Sequence, residues 1–459
     1  MLMSFREAAV VAGMELLSGG EAVDGFGFDS VCADSRQVRP GALFVALGGE
    51  RSDGHGFVRD ALKAGAAGAI VEKSKLAAFG LSDAARRDFV LLAACDSLAA
   101  LQRLAAVYLD KFPNLLRIGI TGSSGKTTTK ELAAAMIGFE RSVVFNEGNL
   151  NSDIGLPLSL FRVREGHEAG VFEMGMNRKG EIAELSAVLR PQIALITNAG
   201  SAHAGMLGGE REVALQKMAV FSCFTGEELA VLPEEGAFAD FLAEGVNGNI
   251  VRFGRTASTK FGGAESRGLS GSVLLWEGKA VNFALPGEYN VMNALAAAAV
   301  AEAAGVSGEA VRAALAAARP LPGRGELVVG GVTVVNDCYN ANPDSMEKAI
   351  SLCDGAALRG RRVYVIASML ELGDDSERAH EKLGERLARS KADLIFLFGE
   401  ETKAAREKLC CAKDKFVFHT NDIEELKVKV RESAREGDTF LLKGSRTCAL
   451  ERIMPVHVC

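Results

Sequence analysis

Leu115-Leu116-Arg117-Ile118-Gly119-Ile120 runs without a break into Thr121-Gly122-Ser123-Ser124-Gly125-Lys126-Thr127, and that into Thr128-Thr129-Lys130-Glu131-Leu132-Ala133. An apolar strand, a glycine-rich turn and a helix-favouring segment follow one another. This order aims backbone N–H groups and a helix N-terminus at one point, as a bound phosphate requires. Thr121, Gly122, Ser123, Ser124, Gly125, Lys126, Thr127 and Thr128 are therefore the expected contacts for ATP. Lys126 would reach the β- and γ-phosphates, and the Thr127 hydroxyl would hold Mg²⁺. The general signature G-x-x-x-x-G-K-[ST] asks for glycine at position 120, where this chain has Ile120, so the loop is a shorter variant. Such a loop names no reaction, because switches, motors, kinases and ligases share it.

Outward from the loop, buried-strand candidates at Leu115–Ile120, Gly170–Glu173 and Ile193–Asn198 are separated by helical patterns, which favours a parallel sheet with crossover helices. Upstream, short apolar runs and Gly-rich turns around residues 41–49 and 69–71 read as a small α/β unit. Leu98, Leu101, Ala105 and Tyr108 recur at helical spacing behind Asp96, a fitting N-cap, and form a joining helix that Pro113 stops. Downstream, the Pro320, Pro322, Gly323, Gly325 cluster punctuates the chain. Apolar runs at Val332–Val335, Arg362–Ala367, Leu394–Phe398 and Thr439–Leu442 then alternate with helical stretches as in a doubly wound sheet. The expected fold is α/β with three domains. A P-loop parallel-sheet domain (96–321) is flanked by an N-terminal α/β substrate domain (1–95) and a C-terminal Rossmann-like domain (322–459).

A length of 459 residues suits several cores, and the formal net charge of −7 argues against a general affinity for nucleic acid or anionic membrane. Arg6, Glu7 and Glu15 interrupt any signal-peptide core in the first 17 residues, and no uncharged apolar run is long enough to cross a bilayer. Nine cysteines without a C-x-x-C pair fit reduced, mostly buried thiols in a cytoplasmic protein. Nothing in the sequence calls for a partner protein, and a monomer is expected.

Ordered motifs surround the loop. They are Asp34-Ser35-Arg36, Asp53-Gly54-His55, Asn149-Leu150-Asn151-Ser152-Asp153, Glu173-Met174-Gly175-Met176, Thr197-Asn198 with His203, and Lys217. Gly287-Glu288-Tyr289-Asn290-Val291-Met292-Asn293, Gly323-Arg324-Gly325, Asp337-Cys338-Tyr339-Asn340-Ala341-Asn342-Pro343-Asp344-Ser345-Met346, Met369-Leu370-Glu371-Leu372-Gly373 and Lys443-Gly444-Ser445-Arg446 follow. Together they resemble the Mur ligases, the amide-forming enzymes of bacterial cell-wall precursor synthesis, across all three proposed domains. Asn340 to Met346 is most similar to the members that add D-alanyl-D-alanine to UDP-N-acetylmuramoyl-tripeptide. The Asp-Asn-Pro-Arg motif of the diaminopimelate-adding members is missing. Three departures stand out: Tyr289 where the family usually has His, Ala367-Ser368 where Gly-Asp is usual, and a loosely matching Gly205-Met206-Leu207-Gly208-Gly209.

The resemblance implies an ATP-dependent peptide ligase working through an acyl phosphate, with Lys126, Glu173, His203 and Lys217 as catalytic groups. Thr127 and Glu173 would hold one Mg²⁺; His203 and Lys217, the latter as a carbamate, would hold a second. Asn290 and Asn293 would meet adenine, Arg324 a phosphate and Asp337 the ribose. Asn149, Asn151, Asn340, Asn342 and Arg446 would hold the tripeptide or dipeptide, and Ser35 and Arg36 the uridine diphosphate. By residue statistics alone Lys217 reads as a solvated helix lysine after Glu210 and Glu212, His203 as an ordinary histidine, Asn290 as an N-cap and Asn342-Pro343-Asp344 as a turn. A diamino-acid-adding Mur ligase and a folylpolyglutamate synthase are the neighbouring readings; a P-loop switch without ligase activity is the alternative of another class.

Overall fold

The computed structural model describes all residues except 18–24, 50–51, 79–88, 201–207, 411, 413 and 455–459. Three larger sheets follow one another along the chain. The N-terminal sheet runs in the order Glu15–Leu16, Val90–Ala94, Gly68–Glu72, Ala42–Val45, Ser30–Cys32, parallel except at the Glu15–Leu16 edge. In the central sheet Asn249–Phe253, Leu229–Pro233, Ile193–Ile196, Leu116–Thr121, Ala169–Glu173 and Val143–Phe145 lie side by side, all parallel. The C-terminal sheet orders Glu326–Val329, Thr333–Asp337, Thr439–Lys443, Arg362–Ala367, Leu394–Phe398 and Phe416–Thr420, with only the first strand antiparallel.

The expected joining helix is Ser97–Asp110, and the Asp96 side chain caps it by accepting the Ala99 N–H at 2.9 Å. Leu101, Leu104, Tyr108 and Leu109 are buried in one apolar cluster that runs from Phe5 and Phe28 to Leu156, Leu185 and Phe221. Burying each such side chain is worth about 1.5–3 kcal/mol, so this helix fixes the N-terminal sheet to the central one. The Tyr108 hydroxyl donates to the Val163 carbonyl at 2.7 Å and accepts from the Arg164 guanidinium at 3.2 Å, so it is satisfied inside that core.

Leu116–Thr121 sits at the point where the chain switches from one side of the central sheet to the other. Its carboxyl end lies beside Glu173 and Ile196, which pair in register with Ile120 and Thr121. A crevice outside the strand ends at such a switch point is where ligands bind in open α/β sheets. The sequence reading did not foresee the antiparallel sheet of Phe261–Ser266, Ser272–Trp276 and Lys279–Phe283. Its tight turn uses Glu277 and Gly278, both at positive φ, in place of the usual Asn-Gly. The period-2 burial of Leu274, Trp276, Val281 and Phe283 was readable and is what holds it.

The described cysteines are free thiols, but only Cys338 and Cys353 are buried, while Cys95 and Cys410 are exposed. Among the described residues no helix is long and apolar enough to cross a membrane.

Candidate active site

The carboxyl ends of the central and C-terminal sheets face one cleft of about 520 Å³. Ser123 to Thr128, Asn149, Asn151, Glu173, Asn198, Tyr289, Asn290 and Asn293 line one wall, and Arg324, Asp337, Tyr339, Asn340, Asn342, Lys348, Lys443 and Arg446 the other.

Gly125 opens the helix Lys126–Gly138 at φ +83°, and a Cβ there would sit 2.2 Å from Asn293 Oδ1. A Cβ on Gly122 would sit 1.8 Å from Thr197 Oγ1. The loop's backbone is held from the neighbouring strand end. Asn198 Oδ1 accepts the Ser124 N–H at 3.1 Å, and its Nδ2 donates to the Ser124 carbonyl at 2.9 Å. The Thr197 hydroxyl donates to that same carbonyl at 2.7 Å. Asn198 thus acts as a template for the turn, a task the motif reading did not assign to it. Gly125→Ala is expected to weaken ADP binding at least about tenfold with the fold retained, since left-handed backbone alone costs an alanine about 1 kcal/mol before the clash is relieved. A calorimetric titration giving affinity within twofold of the parent would contradict this.

At the mouth of the loop the Thr127 hydroxyl donates to Glu173 Oε2 at 2.7 Å, and Asn151 Nδ2 donates to Oε1 at 2.6 Å. Glu173 is only 3% exposed, and among the described residues no basic side chain pairs with it. Its backbone is fixed by Asn146, whose Oδ1 accepts the Glu173 N–H and whose Nδ2 donates to the Glu173 carbonyl. The fully buried Lys130 in turn donates to the Asn146 carbonyl at 2.6 Å. A buried, unpaired carboxylate beside a hydroxyl is an oxygen donor set that suits a hard cation such as Mg²⁺. Neither Asn146 nor Lys130 was anticipated as the support for this group.

Lys126 folds back to donate to the Gly122 carbonyl at 2.8 Å; burial lowers its pKa, with the Glu173 carboxylate opposing the shift and Arg324 adding to it. Lys217 lies on the helix Glu210–Met218 and is 1% exposed, so the solvated-lysine reading fails. It shares the buried face of Val213 and Ala214, a spacing visible in the sequence. Burial, and then the charge of Lys126, push its pKa well below the ordinary lysine value. Among the described residues no carboxylate pairs with it. His203 lies outside the described residues, so nothing here places it.

Asn290 is inside the helix Glu288–Ala303, whose N-cap is Gly287, and so is not itself the cap. Its Nδ2 donates to the Pro286 carbonyl at 2.8 Å, and its Oδ1 accepts from Asn293 at 3.0 Å. Tyr289 lines the cleft beside them, its hydroxyl pushed up in pKa by burial and then by Asp337. The Arg324 guanidinium stacks 3.9 Å from the Tyr339 ring centroid. Asp337 pairs with the buried Lys443 at 2.8 Å, and Lys443 also donates to the Asn340 carbonyl. Asn342 caps the helix Pro343–Gly355 in a reciprocal box with Ser345, which occupies its side-chain Oδ1. Arg446 pairs with Glu451 at 3.1 Å and is 62% exposed. Ser368, in the departure from Gly-Asp, turns its hydroxyl to Glu401 at 2.6 Å.

Ser35 and Arg36 do not reach this cleft. They lie in the short 3-10 helix Ser35–Gln37, where Arg36 binds Asp34 and is 87% exposed, and that pairing holds the Asp34 carboxyl down at about 2.

Three family models match in order along the chain: the catalytic domain of the Mur ligase family over residues 28–104, the Mur ligase middle domain over 120–301 and the Mur ligase glutamate ligase domain over 323–446. A Treponema pallidum protein, a UDP-N-acetylmuramoyl-tripeptide–D-alanyl-D-alanine ligase, is 40% identical over 99% of both chains. The chain belongs to the Mur ligase family. Among solved structures, this Mur ligase is similar to MurF from Acinetobacter baumannii, with a TM-score of 0.83 and 31% identity over 93% of this chain and 92% of that one. It is also similar to the MurF ligase from Thermotoga maritima in complex with ADP, with a TM-score of 0.76 and 29% identity over 93% of this chain and 96% of the other.

Proposed function

We propose that this Mur ligase joins D-alanyl-D-alanine to UDP-N-acetylmuramoyl-tripeptide at the expense of ATP, in cytoplasmic synthesis of the peptidoglycan precursor. The observation that carries the reading is the Thr127–Glu173 contact at the mouth of the phosphate loop, facing Asn340 and Asp337 across one cleft.

An amide forms from a carboxylate only once an oxygen has become a good leaving group. The tripeptide carboxylate attacks the γ-phosphorus, the β–γ bridging bond breaks, and ADP departs; the dipeptide amine then displaces phosphate from the acyl phosphate. Lys126 and the N–H groups of the loop spread the phosphate charge, while the cleft holds the acceptor near the attacking carboxylate. Thr127 and Glu173 would hold one Mg²⁺, which would supply positive charge to offset the negative charge of the phosphates. Lys217, carboxylated on its neutral amine, and His203 would hold a second ion; the depressed pKa of Lys217 and the lack of a carboxylate partner among the described residues support that modification. Asn290 and Asn293 sit on the adenine side, with Arg324 and Asp337 reaching phosphate and ribose from the second wall. Asn149 and Asn151 take the tripeptide end; Asn340, Asn342 and Arg446 take the dipeptide, the exposed Arg446 guanidinium exchanging Glu451 for the dipeptide carboxylate. Ser35 and Arg36 would take the distal uridine diphosphate.

Phosphate release is expected to require both UDP-N-acetylmuramoyl-tripeptide and D-alanyl-D-alanine, and to stop when a diamino acid replaces the dipeptide. Release indifferent to both substrates, in a coupled spectrophotometric assay, would sink the ligase reading.

A further inference from the structure

The helix Pro343–Gly355 starts at the cleft, and Asn342, Ser345 and Lys348 follow one another at three-residue spacing along the face that lines it. The first two satisfy each other in the capping box. Lys348 reaches past them to the other wall, where its Nζ lies 3.4 Å from the Ser124 hydroxyl of the phosphate loop. That is a long, weak bond between groups 224 positions apart. The two walls also touch one turn earlier, since a Cβ on Gly200 would stand 2.3 Å from Asp344 Oδ2. Burial lowers the Lys348 pKa, with Asp344 opposing the shift, yet among the described residues no carboxylate forms an ion pair with its ammonium. Lys126, which donates to the Gly122 carbonyl, is likewise without such a pair among the described residues. Both lysines thus line the cleft with an ammonium on the phosphate loop, Lys126 at the Gly122 carbonyl and Lys348 at the Ser124 hydroxyl.

We propose that Lys348 is a catalytic residue that carries positive charge from the C-terminal domain onto the γ-phosphoryl group of ATP. The inference rests on the ligase reading above. As the tripeptide carboxylate oxygen bonds to the γ-phosphorus and the bond to the β–γ bridging oxygen breaks, charge spreads over the equatorial oxygens and the departing ADP. Lys348 exchanges its weak bond to Ser124 for those oxygens and stays protonated throughout. A cation supplied from a second domain acts only when the two walls are together, so phosphoryl transfer is coupled to closure over the bound peptide.

The test uses the full chain with Lys348→Ala, Lys348→Gln and Lys348→Arg. Phosphate release at saturating substrates, calorimetric binding of ADP and of a non-hydrolysable ATP analogue, and thermal melts are measured for each. Loss of one preorganised cation should lower kcat about 100-fold in the Ala and Gln variants and weaken the analogue about tenfold, with ADP affinity within about twofold of the parent. Lys348→Arg should recover at least part of the rate, and the melts should match. A kcat close to the parent overturns the proposal, as does equal weakening of ADP and analogue, which would make Lys348 a clamp on Ser124. The parent enzyme separates the two ideas: if it needs both peptide substrates while the Lys348 variants match it, the ligase reading stands and this one falls.

Discussion

Lys217→Ala is expected to lower phosphate release by about 1,000-fold or more, and a short-chain carboxylic acid added to the buffer is expected to restore part of it. The native side chain is buried with no carboxylate partner among the described residues, and its ammonium is disfavoured by burial and then by Lys126. Burial therefore favours the neutral amine more than in an ordinary lysine, and a neutral amine is what CO₂ adds to. The resulting carbamate is an oxygen donor; a small carboxylate diffusing into the space left by alanine supplies the same donor. A folded Lys217→Ala protein that no carboxylic acid rescues would count against carboxylation.

Stability should move the opposite way from activity in Lys217→Met. Since the folded pKa lies below the unfolded value of about 10.4, the folded state holds fewer protons between those two values. This group's contribution to stability therefore rises with pH through that window, and its penalty is greatest at and below the depressed folded pKa. Methionine removes the penalty while filling similar space, so thermal melts in CO₂-depleted buffer should show a gain for Lys217→Met that shrinks as pH rises toward 10.

Glu173→Gln should cost about 100- to 1,000-fold in kcat, with magnesium no longer improving nucleotide binding. The substitution keeps the shape of a side chain locked between Thr127, Asn151 and the Asn146 brace, so the melting temperature should change little. What it removes is the negative charge that, with the Thr127 hydroxyl, would hold a cation beside the phosphate loop. Magnesium titrations followed by calorimetry with ADP check this, and an unchanged magnesium dependence would remove Glu173 from the metal site.

Much of the fold was legible because its signals are local. The strands at Arg362–Ala367 and Leu394–Phe398 are mainly apolar, from Val363 and Leu394 onward, and buried on both faces, and the structure has them at the bounds read from sequence. Leu229–Pro233 and Asn249–Phe253 were overlooked: the first ends in proline, and the second is an edge strand that leaves Asn249, Ile250 and Val251 exposed, with Arg252 breaking its apolar run. The antiparallel hairpin was overlooked because Glu277 takes a left-handed conformation more often given to Asn or Gly.

The same division holds at the cleft. The phosphate loop announces itself, since glycines at 122 and 125 and a lysine at 126 are dictated by backbone conformation and charge that any bound phosphate imposes. By itself the sequence determined this loop, the alternation of strand and helix, and the family through its ordered motifs. Only the tertiary structure decided that Lys217 is buried, that Asn198 and Asn146 brace the loop and Glu173, and that Lys348 reaches Ser124 from another domain. Burial and contact between distant segments depend on how sheets and helices pack: the spacing of Lys217 from Val213 and Ala214 places the three on one helix face, but only the packing decides that this face meets the core.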